Sequence, residues 1–151
     1  MSATRIEHVN ITVADPERTS ALMQALFDWH VRWRGPASNG GYTIHVGSNE
    51  HYVALHGTEN PKPMSMAFAK GKPLNHVGVE VDDLDATEAR VIAAGLKTFS
   101  HADYEPGCRF YFLDPDGIEY EVVSYAGTRE QTNPVVHIGH DEPPRSLGLD
   151  P

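Results

Sequence analysis

Ile6-Glu7-His8-Val9-Asn10-Ile11-Thr12-Val13-Ala14-Asp15 is answered later in the chain by Leu74-Asn75-His76-Val77-Gly78-Val79-Glu80-Val81-Asp82-Asp83. Both stretches alternate, both carry a histidine at the third position, and both run into aspartate. In the first, His8, Asn10 and Thr12 point one way while Val9, Ile11 and Val13 point the other, as in a strand with one buried face. The second repeats this, with Val77, Val79 and Val81 behind and His76, Gly78 and Glu80 in front. The two histidines stand 68 residues apart. A duplicated unit that places one histidine per copy implies a pseudo-twofold site between the halves.

The segment after each strand is repeated as well. Asp15 reads as an N-cap, Pro16 as the first helical residue and Glu17 as a first-turn acid at the positive end of the helix dipole. Leu22, Ala25, Leu26 and Trp29 then give that helix an apolar stripe. In the second copy Asp82 or Asp83 caps, Leu84 and Val91 share a face, and Gly95 supplies the stop. Three strands are expected after each helix: Val31–Arg34, Gly41–Val46 and Tyr52–His56 in the first half, and Lys97–Ser100, Arg109–Leu113 and Ile118–Tyr125 in the second. Asp114-Pro115-Asp116-Gly117 is a turn between the last two. The order is β-α-β-β-β, twice: an α+β domain over residues 5–125, with modules at 5–56 and 74–125. The Pro-containing stretch 57–73 reads as the linker, and 126–151, with Pro134, Pro143 and Pro144, as a tail.

The chain has 151 residues, with 21 Asp and Glu against 12 Lys and Arg, for a net charge of −9. An acidic chain without a basic run is a poor partner for nucleic acid or an anionic membrane, which leaves a small molecule as the expected ligand. No long apolar stretch suggests a membrane span, and the N-terminus enters a strand without a signal peptide. Cys108 is the single cysteine, which excludes an internal disulfide and fits the reducing cytoplasm.

In the last strand Glu119, Glu121 and Val123 share one face and Tyr120 and Val122 the other. If the first face lines the cavity, Glu121 can meet His8 and His76. Two imidazoles and a carboxylate hold a divalent ion and leave positions for substrate or water. Glu119 replaces Glu121 if the register slips by two residues. The equivalent position in the first half is Ala54, which cannot ligate. His56, two residues on, and His101 are the candidates for acid/base work. Tyr104 and Arg109, beside a Gly/Pro-containing loop, are candidates for substrate contact, while His30, His45, His51, His137 and His140 are expected at surfaces.

The repeated strands, and above all Tyr111-Phe112-Leu113-Asp114-Pro115-Asp116-Gly117-Ile118-Glu119-Tyr120-Glu121, resemble the vicinal oxygen chelate superfamily. That group includes glyoxalase I, extradiol dioxygenases, methylmalonyl-CoA epimerase, fosfomycin-resistance thiol transferases and bleomycin-resistance proteins. The resemblance spans residues 5 to 125. It implies two βαβββ modules closing a half-barrel (the glyoxalase/bleomycin resistance/dioxygenase fold), commonly in a homodimer, with His8, His76 and Glu121 as metal ligands. Glyoxalases carry a fourth ligand where Ala54 stands here. The three-ligand set favours extradiol-dioxygenase-like chemistry with Fe(II) or Mn(II). A Zn or Ni lyase or isomerase, a fosfomycin-type transferase and a non-catalytic drug-binding protein are the alternatives. Fosfomycin enzymes have Thr where Asn10 stands and Ser where Arg109 stands, positions that touch substrate in that group.

Overall fold

A computed structural model describes residues 4–37, 40–62, 74–104 and 107–125. Residues 63–73 of the expected linker and the tail at 126–151 lie outside the described residues. The first repeat runs β1 (His8–Val13), α1 (Pro16–Phe27), β2 (His30–Pro36), β3 (Tyr42–Gly47) and β4 (Tyr52–Gly57). The second runs β5 (Val77–Glu80), α2 (Leu84–Ala93), β6 (Thr98–Tyr104), β7 (Gly107–Leu113) and β8 (Glu119–Ser124). Each repeat makes its own four-stranded sheet, in the orders β1-β4-β3-β2 and β5-β8-β7-β6. The first strand of each repeat pairs in parallel with the last, and the other pairs are antiparallel.

Both helices start where the sequence indicates. The Asp15 carboxylate accepts from the Arg18 amide at 3.0 Å, and Asp83 accepts from that of Ala86 at 2.9 Å, satisfying amides that have no partner inside the helix. The buried stripe of α1 differs from the expected one. Asp28, in the left-handed region at φ 56, ends the helix before Trp29, and Ala25 is exposed. Leu26 is buried as expected, joined by Thr19, Ser20 and Met23, while Leu22 and Trp29 pack partly buried against the core.

One apolar core draws on both repeats. Ile11, Val13 and Ile44 of the first sheet join Phe110, Phe112 and Val122 of the second. Helix α1 packs on β3 and β4, α2 on β6, β7 and β8, and the helices touch each other. The order of layers is therefore sheet, helices, sheet. Among the contacts that fasten the repeats together, Arg90 Nε donates to the Leu26 carbonyl at 2.8 Å, and the Ala14 amide donates to Asp116 Oδ1 at 2.8 Å. The turn that carries Asp116 is fixed by Asp114, whose Oδ1 accepts from the amides of Asp116 and Ile118, both at 2.9 Å. Gly117 completes it at φ 78, where a Cβ would be strained.

Because side chains alternate and both apolar faces share this core, the two polar sheet faces are turned outward, away from each other. That placement governs the functional site. Among the described residues, no helix is long and apolar enough to cross a membrane.

Candidate metal centre

His76 lies just ahead of β5, and Glu121 is in the middle of β8. The β5–β8 register sets Gly78 beside Glu121. His76 Nε2 stands 3.0 Å from Glu121 Oε2. That is the distance of an ion pair, and it also matches the roughly 3.0 Å between two ligands at right angles on an ion with bonds of roughly 2.1 Å, so the pair could take up an ion without rearranging. The other carboxylate oxygen, Oε1, accepts from Arg109 Nη1 at 2.8 Å. Tyr111, paired with Glu121 across β7–β8, meets the His76 ring edge-on at 5.8 Å. Its neighbour across β6 is Phe99, stacked at 6.2 Å. Glu121 rather than Glu119 meets His76.

His8 occupies the equivalent place on the other sheet's outer face. Its Nδ1 pairs with Glu7 Oε2 at 2.5 Å, which leaves Nε2 as the ring nitrogen presented for ligation. Tyr52 stacks on the His8 ring at 4.9 Å, and burial, then the Glu7 charge, push its phenol pKa up. The hydrogen bond from His8 is the main cause holding the Glu7 carboxyl below its ordinary range. The row of rings continues across the sheet, with His45 on Tyr52 at 4.5 Å and Trp33 on His45 at 5.0 Å. Arg32 lies 4.7 Å from the Tyr52 ring centroid. His45 is thus a member of this row rather than a simple surface residue. Burial, and then the neighbouring His8 charge, push its pKa down.

The three expected ligands are brought together only in part. His76 and Glu121 meet, whereas His8 lies on the outward face of the opposite sheet. Among the described residues, no group of three or more His, Cys, Asp or Glu side chains is placed to hold a metal within one chain. A groove of about 550 Å³ runs between the β1 and β5 edges, lined by His8, Tyr52 and Val77–Glu80 among others, without His76 or Glu121.

The remaining candidates divide between the faces. Asn10 and Ala54 are register partners of the first sheet, on the side that carries His8 and Tyr52. His56 is there too, its Nδ1 3.2 Å from Thr43 Oγ1. His101 is elsewhere. A bulge between Phe99 and Ala102, with Ser100 at φ 51, breaks the alternation of β6. The His101 ring therefore stacks on core residue Phe110 and bonds Glu88 of α2 at 2.5 Å. The same carboxylate accepts from Thr98, the largest cause of its lowered pKa. Tyr104 ends β6, and its side chain lies outside the described residues. Sequence reasoning missed Glu7 and Tyr52 as holders of His8. Glu7 precedes the strand, so alternation says nothing of where it points. Tyr52 was legible as the cross-strand neighbour of His8 once β1 and β4 were paired.

No curated protein matches the chain. Among solved structures, a glyoxylase/bleomycin resistance protein/dioxygenase domain from Frankia sp. EAN1pec is 22% identical with a TM-score of 0.68, covering 82% of this chain and 98% of that one. A point mutant of the fosfomycin resistance protein FosX from Listeria monocytogenes, complexed with Mn(II) and 1S,2S-dihydroxypropylphosphonic acid, is 17% identical with a TM-score of 0.65, covering 85% and 97%. TnmS3, an antibiotic binding protein from Streptomyces sp. CB03234, is 18% identical with a TM-score of 0.63, covering 82% and 98%. At these identities the likeness is one of fold. Residues 5–122 match the family described as Glyoxalase/Bleomycin resistance protein/Dioxygenase superfamily, and the chain belongs to that superfamily.

Proposed function

We propose that the chain is a metal-dependent enzyme acting on a small molecule with adjacent oxygens, by extradiol-dioxygenase-like chemistry. Its ligands are His8 of one copy and His76 and Glu121 of a second. The observation that carries this reading is the His76–Glu121 pair, at ligand spacing on an outward face, with His8 presented outward by Glu7 on the opposite face. Strands β1 and β5 are both edge strands of their sheets, and edges seek partners. A twofold dimer that sets β1 of one copy beside β5 of the other forms two identical three-ligand sites.

His8, His76 and Glu121 would hold a divalent ion, Fe(II) or Mn(II) before Zn or Ni, which would supply Lewis-acid activation of the substrate and, with iron, the redox chemistry of an oxygenase. The protein contributes the surroundings. Ala54 adds no fourth ligand, so the positions facing substrate stay open. The Trp33–His45–Tyr52–His8 row and Asn10 border the space for a planar substrate. His56, with Nδ1 held by Thr43, directs Nε2 to proton transfer at the substrate hydroxyls. His101 is engaged by Glu88 on the helix side and is left out of this scheme. A homodimer in the cytoplasm is the setting that fits these assignments.

A second reading, a drug-binding protein without metal, draws support from one contact. Arg109 already compensates the Glu121 charge without any ion. The test is metal analysis of protein purified without chelator, followed by O₂ uptake with catechols. Iron or manganese near one equivalent per chain, with O₂ consumption, supports the enzyme. Protein that binds neither ion when loaded anaerobically with Fe(II) or Mn(II) favours the binding protein.

A further inference from the structure

Arg109 stands on β7 opposite Val123, while Glu121 faces Tyr111 two residues along the same pair of strands. The two side chains are therefore diagonal neighbours, a separation that only a long side chain bridges. Arg109 spans it, and Nη1 reaches Glu121 Oε1 at 2.8 Å with both side chains only 13% exposed. His76 sits at the other oxygen, Oε2, at 3.0 Å. The carboxylate is thus held by its far oxygen and turned so that its near oxygen lies beside the imidazole. A guanidinium keeps its charge at any working pH and donates in a fixed fork, so the hold is permanent.

We propose that Arg109 is a positioning residue for the metal centre: it clamps Glu121 Oε1 so that Oε2 is presented with His76 Nε2, and it thereby sets the affinity of the site for a divalent ion. The inference rests on the reading of His76 and Glu121 as ligands. Two effects of opposite sign compete. The cation repels a divalent ion, but it also fixes the ligand carboxylate, and outer-shell partners that fix ligands are typically worth 10–100-fold in affinity. The guanidinium contacts Oε1, the oxygen that is not beside His76, so its charge stands behind the ligand carboxylate, and the Arg109–Glu121 contact is itself shielded from water. Orientation therefore outweighs repulsion.

The experiment is Mn(II) titration of the full-length wild type, Arg109→Met and Arg109→Lys, followed by calorimetry and by the loss of the free Mn(II) electron paramagnetic resonance signal. Circular dichroism reports on folding. Arg109→Met is expected to bind Mn(II) at least tenfold more weakly at unchanged stoichiometry, and Arg109→Lys, which keeps a charged donor, to recover most of that loss. Unchanged or tighter binding in Arg109→Met overturns the proposal, and tighter binding identifies Arg109 as a repelling charge only. Should Arg109→Met not fold, Arg109→Lys and Arg109→Gln decide: near-wild-type affinity in Lys with weakened affinity in Gln, whose shorter neutral side chain reaches Glu121 poorly, supports the clamp, whereas unchanged or tighter binding in Gln overturns it. Wild-type protein that takes up no Mn(II) defeats the underlying metal reading, whereas metal binding indifferent to Arg109 defeats this inference alone.

Discussion

Replacing Asp114 by Asn should make the protein more stable at neutral pH. Asp114 is 1% exposed, and burial pushes its pKa from the ordinary 3.8 to about 6. The amides of Ile118 and Asp116 pull the other way without cancelling it, and the Asp116 charge adds to the rise. The native state therefore holds a proton between pH 4 and 6 that the unfolded chain has released, so stability falls as pH rises through that window. The full cost above pH 6 is about 3 kcal/mol, at roughly 1.4 kcal/mol for each pH unit separating the two values. Asn keeps the oxygen that accepts from Asp116 and Ile118 and carries no charge. Its amide hydrogens need a new acceptor in a buried turn, which offsets part of the gain. Urea unfolding of both proteins at pH 4, 5, 6 and 7.5 isolates this group, because other titrations cancel in the difference. The variant should match wild type to within about 1 kcal/mol at pH 4 and exceed it by about 1–3 kcal/mol at pH 7.5. A difference that does not change between pH 4 and 7.5, or that moves the other way, would refute the reasoning.

Two further substitutions probe other parts of the fold. Phe112→Ala removes a ring that is fully buried, stacked on Tyr120 at 5.2 Å and near Phe27 at 6.3 Å across the two repeats; chemical denaturation should show a loss of about 3–5 kcal/mol. Glu88→Gln weakens the contact of α2 with Thr98 and His101. Because the Glu88 pKa is lowered in the folded protein, its contribution is present above the ordinary carboxylate value and lost as pH falls through the folded value. Thermal unfolding should show the variant destabilised at pH 7 and the difference shrinking toward pH 3.

The duplicated strand, the Asp caps and the Asp114–Gly117 turn were legible because each is a short-range pattern, and the βαβββ order follows from them. The alternation in β8 likewise put Glu121 on the face opposite Tyr120 and Val122. The end of α1 was less legible, since Asp28 adopts a left-handed conformation that glycine more often takes, and the apolar Trp29 extends the period past it. The surroundings of His101 were hidden for a related reason: the strand expected to end at Ser100 runs on to Tyr104 through a bulge, and no residue there advertises a bulge. The separation of His8 from His76 lay beyond sequence patterning altogether. Alternation says which residues share a face of one sheet, but it does not say whether two such sheets lie side by side or back to back.

Mixing two inactive variants tests the shared metal site most directly. His8→Ala keeps His76 and Glu121, and His76→Ala keeps His8, so each homodimer lacks a complete site while a heterodimer restores one. Coexpression with separable tags followed by subunit counting verifies the heterodimer, and Mn(II) binding is then measured on the mixture. With random pairing about half the dimers are mixed and each holds one ion, so the mixture should carry about one quarter of the wild-type metal per chain, against none for either variant alone. Verified heterodimers that bind no more metal than the separate variants would contradict a site built from two copies.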